Sequence, residues 1–319
     1  MKKYFLLFTL FVFQITFAHT EKDSLSRFHF QKMLLEEDDD CDACGCSANG
    51  GSMGFSSMFH NNFVGVRYFY QSYTSRDGIF NNSPWVDEDF NTVQVWARIP
   101  IIRKVQLSVL VPYHFHTRKR STGDEHIDGL GDVTVLAMYN LYETMKDSTV
   151  FTHKLQLGGG VKAPTGKFDA ENNKGSVNPG FQVGTGSWDY LLAAEYVLKK
   201  DNIGLNVMGN YTFKTENDKL YQFGDQLNYG ATFFYLMERQ SVKLVPQLGI
   251  AGEVFESNRQ YRQTVPDSAG DIVFGKFGLE AGRKNLSVGI NAMLPINQNL
   301  SNGNVESNYR WSINLNYSL

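Results

Sequence analysis

Long apolar runs are missing from this 319-residue sequence beyond its first eighteen residues. A helix that crosses a membrane needs about 18 or more consecutive apolar residues, so their absence argues against a helical membrane protein. Basic residues are not in excess, and a net charge of −3 argues against a nucleic-acid partner. The sequence also lacks a phosphate-binding glycine loop, a dinucleotide fingerprint, a zinc-protease motif and a recognisable Ser–His pair, and we therefore expect no enzymatic activity.

The first residues have the pattern of a secretory signal peptide. Lys2 and Lys3 precede an apolar stretch at 4–18, and Thr16 and Ala18 are the small residues that a signal peptidase prefers. The alternative is an N-terminal anchor, but the stretch is short for a span and ends at a cleavage pattern. We predict that residues 1–18 are a signal peptide for the general secretory route, and no lipid-attachment cysteine follows directly.

Aromatic residues and glycine are abundant, and proline is scarce. Phe, Tyr and Trp make up 14% of the chain, with 29 glycines and 8 prolines. From residue 63 onward, apolar and polar residues alternate with a period of two, as in β-strands. In the last such segment, 308–319, one face is apolar and the other polar. This composition favours a β-barrel, in which aromatics form interface girdles and glycine relieves crowding in a curved sheet.

The spacing of these segments predicts twelve strands. They lie near 63–74, 91–100, 105–116, 131–142, 152–163, 187–198, 203–214, 224–236, 242–255, 271–281, 285–296 and 308–319. The connections tend to alternate between short and long, as in outer-membrane barrels with short periplasmic turns and long extracellular loops. Strands of this length can cross a bilayer when tilted. Because alternation alone also fits a soluble sandwich, strand length and loop asymmetry together carry the prediction of an all-β, transmembrane, antiparallel up-and-down barrel over 63–319.

Charged and polar side chains fall on the predicted inner face. Candidate residues for lining the lumen and setting selectivity are Arg67, Arg98, His114, His116, Lys162, Glu195 and Glu280. The two histidines lie two residues apart on one strand and could reach one ligand or metal, but they could equally be plain polar lining. The charged segment 117–130 is predicted to be a solvated external loop that contacts lipopolysaccharide.

Three segments carry glycine-containing motifs where loops meet strands. The first is Gly129-Leu130-Gly131-Asp132, the second is GGGVKAPTGKF at 158–168, and the third is NPGFQVGTGSWDYLLAAEY at 178–196. Their motif residues are Gly129, Gly131, Asp132, Pro164, Thr165, Gly166, Gly184, Gly186 and Asp189. The residues alone leave two interpretations open: a constriction or binding site near the outer mouth, or turn chemistry with a β-bulge.

In order and spacing, the three segments resemble the outer-membrane protein family named for the MetA pathway of phenol degradation. The resemblance extends over roughly residues 60–319. It implies an outer-membrane barrel that passes small hydrophobic or aromatic molecules, with no defined substrate. The final strand also resembles the signal read by the barrel-insertion machinery, although it ends on Leu319 and not on the usual Phe.

A cysteine cluster precedes the barrel in the segment 19–62, which we expect to lie in the periplasm. Cys41, Cys44 and Cys46 follow five acidic residues, and thiolates this close can bind Cu(I) or Zn(II). The residues that could complete the soft metal shell are Met53, Met58 and His60. A disulfide with one free thiol, or a covalent link to another protein, is the alternative. The Gly/Ser/Asn-rich stretch 47–62 could be a linker or a plug in the lumen.

These observations predict a channel or transporter in the outer membrane of a Gram-negative-type cell. Its expected partners are outer-membrane lipid, lipopolysaccharide and the barrel-insertion machinery, with no nucleic acid and an unknown small-molecule substrate. The alternative function is a metal-binding or redox-linked protein that uses the cysteine segment, with the barrel as its anchor. A third is a structural or adhesive barrel whose loops bind partners.

Overall fold

The computed structural model describes residues 62–78, 82–144, 151–173, 178–239 and 241–319. Twelve long strands run through these ranges in sequence order. They are β1 (Phe63–Arg76), β2 (Trp85–Ile102), β3 (Val105–Arg120), β4 (Gly123–Leu130 and Val133–Glu143), β5 (Thr152–Ala163), β6 (Asp189–Lys200), β7 (Ile203–Lys214), β8 (Gln226–Tyr235, continued by Met237–Arg239), β9 (Val242–Phe255), β10 (Gly270–Arg283), β11 (Leu286–Leu300) and β12 (Val305–Ser318). None of the helices in these ranges has the length and apolar character that a membrane span requires.

The strands close into a single antiparallel barrel. Each pairs with its neighbours in sequence, β8 pairs with β9, and β1 pairs with β12 from Phe63 opposite Ser318 to Ser75 opposite Val305. Closure gives every strand two partners, which removes the unpaired edges that a lipid environment cannot satisfy. The predicted twelve-stranded up-and-down transmembrane barrel is therefore confirmed.

The two faces of the strands follow the predicted alternation. On β12, the apolar side chains from Tyr309 to Tyr317 are 37–54% exposed on the outer surface. The alternate residues, from Arg310 to Asn316, are at most 4% exposed and point inward. An apolar outer surface matches hydrocarbon, and a polar inner surface needs either water or internal partners.

Aromatic side chains form a patch on the outside of the barrel across β3, β1 and β12. The ring of Tyr68 lies 6.3 Å from that of Phe115 and 5.2 Å from that of Trp311, measured between centroids. Tyr70 lies 5.8 Å from Tyr309 in the same way. Such rings are typical of the level at which a barrel meets the lipid headgroups.

The two ends of the barrel differ. At the turn end, connections 103–104, 201–202 and 284–285 have two residues each, and Lys104, Asp201 and Lys284 take the positive φ that tight hairpins require. At the loop end, the connections include 164–188, 215–225 and 256–269, and the last two are joined by a small three-stranded sheet. The expected asymmetry is present in these connections, but the predicted long connections 117–130 and 297–307 are mostly strand and are reduced to 121–122 and 301–304.

The segment 117–130 differs from its prediction as a loop. It is a hairpin in which β3 continues to Arg120 and β4 begins at Gly123, with Lys119 opposite Asp124. Ion pairs attach this hairpin to its neighbours, with Lys119 Nζ 2.9 Å from Asp89 and Arg120 Nε 3.1 Å from Asp77. The charges indicated a loop because they cannot face lipid, but strands that extend beyond the bilayer can carry them.

Candidate functional site: the lumen at the loop end

The Asp132 carboxylate joins three separate parts of the chain. It lies at the break between the two segments of β4 and is 4% exposed. One oxygen, Oδ1, accepts a hydrogen bond from the backbone N–H of Gly166 at 2.9 Å. The other, Oδ2, accepts from the backbone N–H and the hydroxyl of Thr185, both at 2.8 Å. We call this contact set of Asp132, Gly166 and Thr185 the Asp132 junction.

Two further contacts hold the motifs together. The Thr165 hydroxyl donates to the Gly131 carbonyl at 2.7 Å and accepts from the Val133 N–H at 2.9 Å. A Cβ added to Gly184 would lie 2.5 Å from the Gly166 carbonyl carbon, so the two backbones touch directly. The three motifs found in the sequence are therefore one structural unit, which combines the turn chemistry expected of them with a position at the mouth.

A row of charges crosses the wall beside the Asp132 junction. Lys162, Asp189 and Lys214 lie opposite one another on β5, β6 and β7. Lys162 Nζ is 2.5 Å from Asp189 Oδ2 and 3.5 Å from Asp132 Oδ2. The Ser187 hydroxyl donates to Asp189 Oδ1 at 2.8 Å. The carboxylates in this row thus have donors from side chains or backbone.

Residues 178–182 of the connection 164–188 lie in the lumen. Phe181 is fully buried there, and the Arg118 guanidinium lies 4.0 Å from the centroid of its ring. Arg118 Nε also donates to Glu88 Oε1 at 2.6 Å, and the Asn178 amide donates to the same carboxylate. A buried charged network with an aromatic anchor holds this connection against β2 and β3.

A cavity of about 330 Å³ remains at the loop end. Charged residues form part of its wall, namely Asp132 of the junction and Lys162 and Lys214 of the row. Aromatic rings form another part, from Tyr73, Phe90, Phe223 and Phe255. Binding sites for small molecules commonly combine apolar walls with a few placed polar groups in this way.

On the opposite side of the cavity, Arg310 and Glu253 form a second buried pair. The two guanidinium nitrogens of Arg310 lie 2.6 Å and 3.1 Å from the Glu253 carboxylate, and the guanidinium stands 4.3 Å from the centroid of the Phe274 ring. Arg310 also donates to the Tyr73 hydroxyl at 2.5 Å. Both charges are compensated, which leaves this wall rigid and close to neutral.

Aromatic residues from two connections, 164–188 and 215–225, form a cover over the cavity, with Phe223 in its wall. The ring centroid of Tyr221 lies 5.5 Å from that of Phe168 and 5.0 Å from that of Phe223. Tyr221 accepts a hydrogen bond from the Asn258 amide at 2.9 Å, and burial raises the pKa of Tyr221 to about 12. The phenol is therefore neutral at physiological pH and acts as part of an apolar cover.

The two predicted lumenal histidines lie side by side. Their ring centroids are 5.0 Å apart, and His114 lines the cavity. His114 Nδ1 is 2.8 Å from the Thr92 hydroxyl, and His116 Nδ1 accepts from the Asn91 N–H at 3.2 Å. Among the described residues, no group of three or more His, Cys, Asp or Glu side chains is placed to hold a metal ion. A ligand-binding role for the pair stays a prediction.

The other predicted lumen residues lie toward the turn end, away from the cavity. Arg67, Arg98, Glu195 and Glu280 are all buried on the inner face, at 1–4% exposure. Arg98 Nε donates to the Ser108 hydroxyl at 3.4 Å, Glu195 accepts from the Asn206 amide at 2.5 Å, and Glu280 accepts from the Ser287 hydroxyl at 2.8 Å. The structure does not bring these residues together with Lys162 and the histidines. Their part in selectivity stays a prediction.

Several functional candidates were not singled out from the sequence. Glu88 falls in a segment predicted as a connection, and Phe181 is in a long loop with no periodic signal. Lys214, Glu253 and Arg310 have inner-face parity, and that signal could have found them. The proposed metal ligands Cys41, Cys44, Cys46, Met53, Met58 and His60, together with the signal peptide, lie outside the described residues, so those predictions stay untested.

A comparison with protein families returns one match. The family model described as "Putative MetA-pathway of phenol degradation" matches residues 73–258, which is more than half of the chain and includes all three motifs. No curated protein sequence matches.

A solved structure shares the fold, and another is less similar. The crystal structure of an outer membrane channel from Pseudomonas putida F1 has a TM-score of 0.60 and 13% sequence identity, with 85% of this chain and 98% of that chain covered. The beta domain of the Bordetella autotransporter BrkA has a TM-score of 0.48 and 11% identity, over 81% of this chain and all of that domain. At this level of identity the first likeness concerns the barrel fold alone.

Proposed function

Because the chain belongs to the MetA-pathway of phenol degradation family, we propose that it is an outer-membrane channel for small molecules that carry an apolar or aromatic part. In this proposal the loop end faces outward and the turn end faces the periplasm of a Gram-negative-type cell. The cavity of about 330 Å³ inside the closed barrel is the observation that carries the proposal. The channel function of the Pseudomonas putida F1 protein of similar fold supports it.

The walls of the cavity agree with such a solute. Phe90 and Tyr73 both line the cavity with ring centroids 5.3 Å apart, so an aromatic surface is available to an apolar body. The buried Phe181 supports Phe90 at a centroid distance of 5.9 Å. Aromatic pairs of this kind contribute about 0.5–1.5 kcal/mol beyond burial. The charged row opposite can receive a polar group of the same molecule.

Passage requires a change in the lumen. The in-folded connection carries Phe181, and the turn half of the lumen is filled by clusters such as Phe63, Trp96 and Leu110. These side chains do not form a wide water-filled pore. In this proposal the cavity is a binding site on a path that must open before a solute can pass. Motion of the connection 164–188 is the step that would open the outer side.

Two measurements on the full-length purified protein test this function. In planar bilayers we expect discrete conductance steps, since gating opens a path for ions. In proteoliposomes we expect phenyl glucoside to enter faster than methyl glucoside, because only the former carries an aromatic ring. Absence of conductance together with equal entry of both glycosides would overturn the proposal.

A matched pair of variants tests whether the cavity causes the preference for phenyl glucoside over methyl glucoside. Phe90→Leu removes an aromatic ring from the cavity wall and is expected to reduce the difference between the two glycosides. Phe115→Leu changes an outward residue that is 38% exposed on β3, and it should leave the difference unchanged. An equal effect of both variants would assign the preference to something other than the cavity.

A further inference from the structure

Lys214 differs from the other cations of the cavity wall. Lys162 has Asp189 at 2.5 Å, and Arg310 has Glu253 at 2.6 Å. The Lys214 ammonium instead donates to the Gln226 side-chain carbonyl at 3.3 Å, and within the described part of the chain no carboxylate lies within ion-pair distance of it. A lysine ammonium has three donors, so it retains donors for a ligand.

The carboxylates near Lys214 already have donors of their own. Asp189 is held by Lys162 and the Ser187 hydroxyl. Asp225 accepts from the backbone N–H of Lys214 at 2.8 Å and from the Tyr211 hydroxyl at 3.3 Å. Asp225 therefore fixes the backbone of Lys214, and neither carboxylate forms a direct ion pair with the lysine ammonium.

An apolar surface lies next to this ammonium. Lys214 Nζ stands 5.8 Å from the centroid of the Phe223 ring, and both residues line the cavity. Phe223 packs against Tyr221 and Phe168, so its ring is fixed by the aromatic cover. The cavity therefore places a cation with spare hydrogen-bond donors next to a fixed aromatic ring.

We propose that this cavity binds a small organic anion, with its carboxylate on the Lys214 ammonium and its apolar body against Phe223. The charge-assisted hydrogen bond supplies recognition of the anion, and burial of the body supplies further affinity. This proposal rests on the proposed channel function by naming a solute class for it, but the binding site can be tested without conductance.

The test compares benzoate with benzyl alcohol, a neutral molecule of similar shape, by calorimetric titration of the full chain in detergent. A hydrogen bond to a charged group is worth about 1.5–3 kcal/mol, so we expect benzoate to bind at least about tenfold more tightly. Acetate carries the charge without the body and is expected to bind more weakly than benzoate. Equal binding of benzoate and benzyl alcohol, or of benzoate and acetate, would overturn the proposal.

Three variants separate the charge from general effects on the fold. Lys214→Met keeps the length of the side chain and should remove the preference for benzoate, whereas Lys214→Arg should keep it. Lys219→Met changes an exposed lysine in the connection 215–225, which follows Lys214, and should bind as the wild type does. Circular dichroism checks that each variant retains the barrel. Benzoate binding by Lys214→Met equal to that of the wild type would refute the site.

The outcomes distinguish this proposal from the channel function. Benzoate binding that depends on Lys214, without conductance in planar bilayers and with equal entry of the two glycosides, would support the site and overturn the channel. Conductance without benzoate binding would support the channel and overturn the site.

Discussion

The Arg118 guanidinium donates a hydrogen bond of 2.6 Å to the Glu88 carboxylate inside the lumen, and neither side chain is more than 1% exposed. The pair joins β3 to β2, and the Asn178 amide connects it to the in-folded connection. An internal ion pair of this kind is costly to break, because removal of one partner leaves the other charge buried.

Arg118→Met is therefore expected to destabilise the barrel and release the connection 164–188. The free energy of unfolding should fall by about 3–5 kcal/mol, since Glu88 would remain buried without its cation. Urea unfolding in lipid vesicles measures this loss, and faster proteolysis within the connection reports its release. The double variant Arg118→Met with Glu88→Gln should recover most of the stability, and a double variant as unstable as the single one would contradict this explanation.

Asp132→Asn should weaken the Asp132 junction. An amide offers one acceptor oxygen where the carboxylate serves three donors, so N–H and O–H groups of Gly166 and Thr185 lose partners. The expected loss is about 1–3 kcal/mol, the cost of a buried unsatisfied donor. Asp128→Asn is the matched control, because Asp128 accepts from Tyr113 in an exposed pair and should change stability little. Equal unfolding midpoints for the two variants would show that the junction does not stabilise the barrel.

Gly184→Ala tests the backbone contact between two of the motifs. The added Cβ would lie 2.5–2.6 Å from backbone atoms of Gly166, which cannot move as a flexible side chain can. We expect a loss of about 1–3 kcal/mol, typical of overpacking, together with weaker binding in the cavity. At Gly209 the nearest atom to an added Cβ is 3.8 Å away, so Gly209→Ala should be tolerated. Chemical unfolding of the two variants compares their stabilities and tests this expectation.

Arg67→Met should remove a charge from the lumen without lowering the stability of the barrel. Arg67 is 1% exposed, it lies 5.0 Å from the Trp96 ring and 5.4 Å from the Phe69 ring, and its Nε and Nη1 atoms have no hydrogen-bond partner in the described part of the chain. The Arg67 Nη2 atom donates to the Gln94 side chain, but this single bond compensates little of the cost of burying the cation, so the methionine variant should be at least as stable as the wild type.

The charge itself should affect ion selectivity. Removal of a lumenal cation is expected to shift the reversal potential in a salt gradient toward cation preference, while the exposed Arg283→Met at the turn end should not. A marked loss of stability in Arg67→Met, or an unchanged reversal potential, would argue that Arg67 has partners or a position other than those described.

Alternation of side chains was sufficient to predict the strands and their two faces. The bounds of β5, β7 and β9 agree with the prediction, because lipid and lumen impose a strict period of two there. Alternation was a less reliable guide beyond the bilayer, because strands there do not have lipid on one face and the lumen on the other. For that reason β2 begins at Trp85 and not near residue 91, and Glu88 was placed in a connection.

The site was only partly predictable, for a different physical reason. Each motif taken alone has the appearance of a turn, and only the fold shows that Gly166 and Thr185 donate to Asp132. The inward path of the connection 164–188 depends on pairing between Phe181 and Arg118, which lie far apart in sequence and have no common period.

The Asp132 junction also bears on the order in which the barrel assembles. Its contacts join residues 34 and 53 positions apart, whereas closure of the barrel joins Phe63 to Ser318. The entropy lost in closing a loop grows with its length, so the shorter loops around Asp132 are the easier ones to close. The wall at the loop end can therefore reach its final shape before β1 pairs with β12. The contacts around Asp132 are therefore expected to form earlier in assembly than the pairing that closes the barrel.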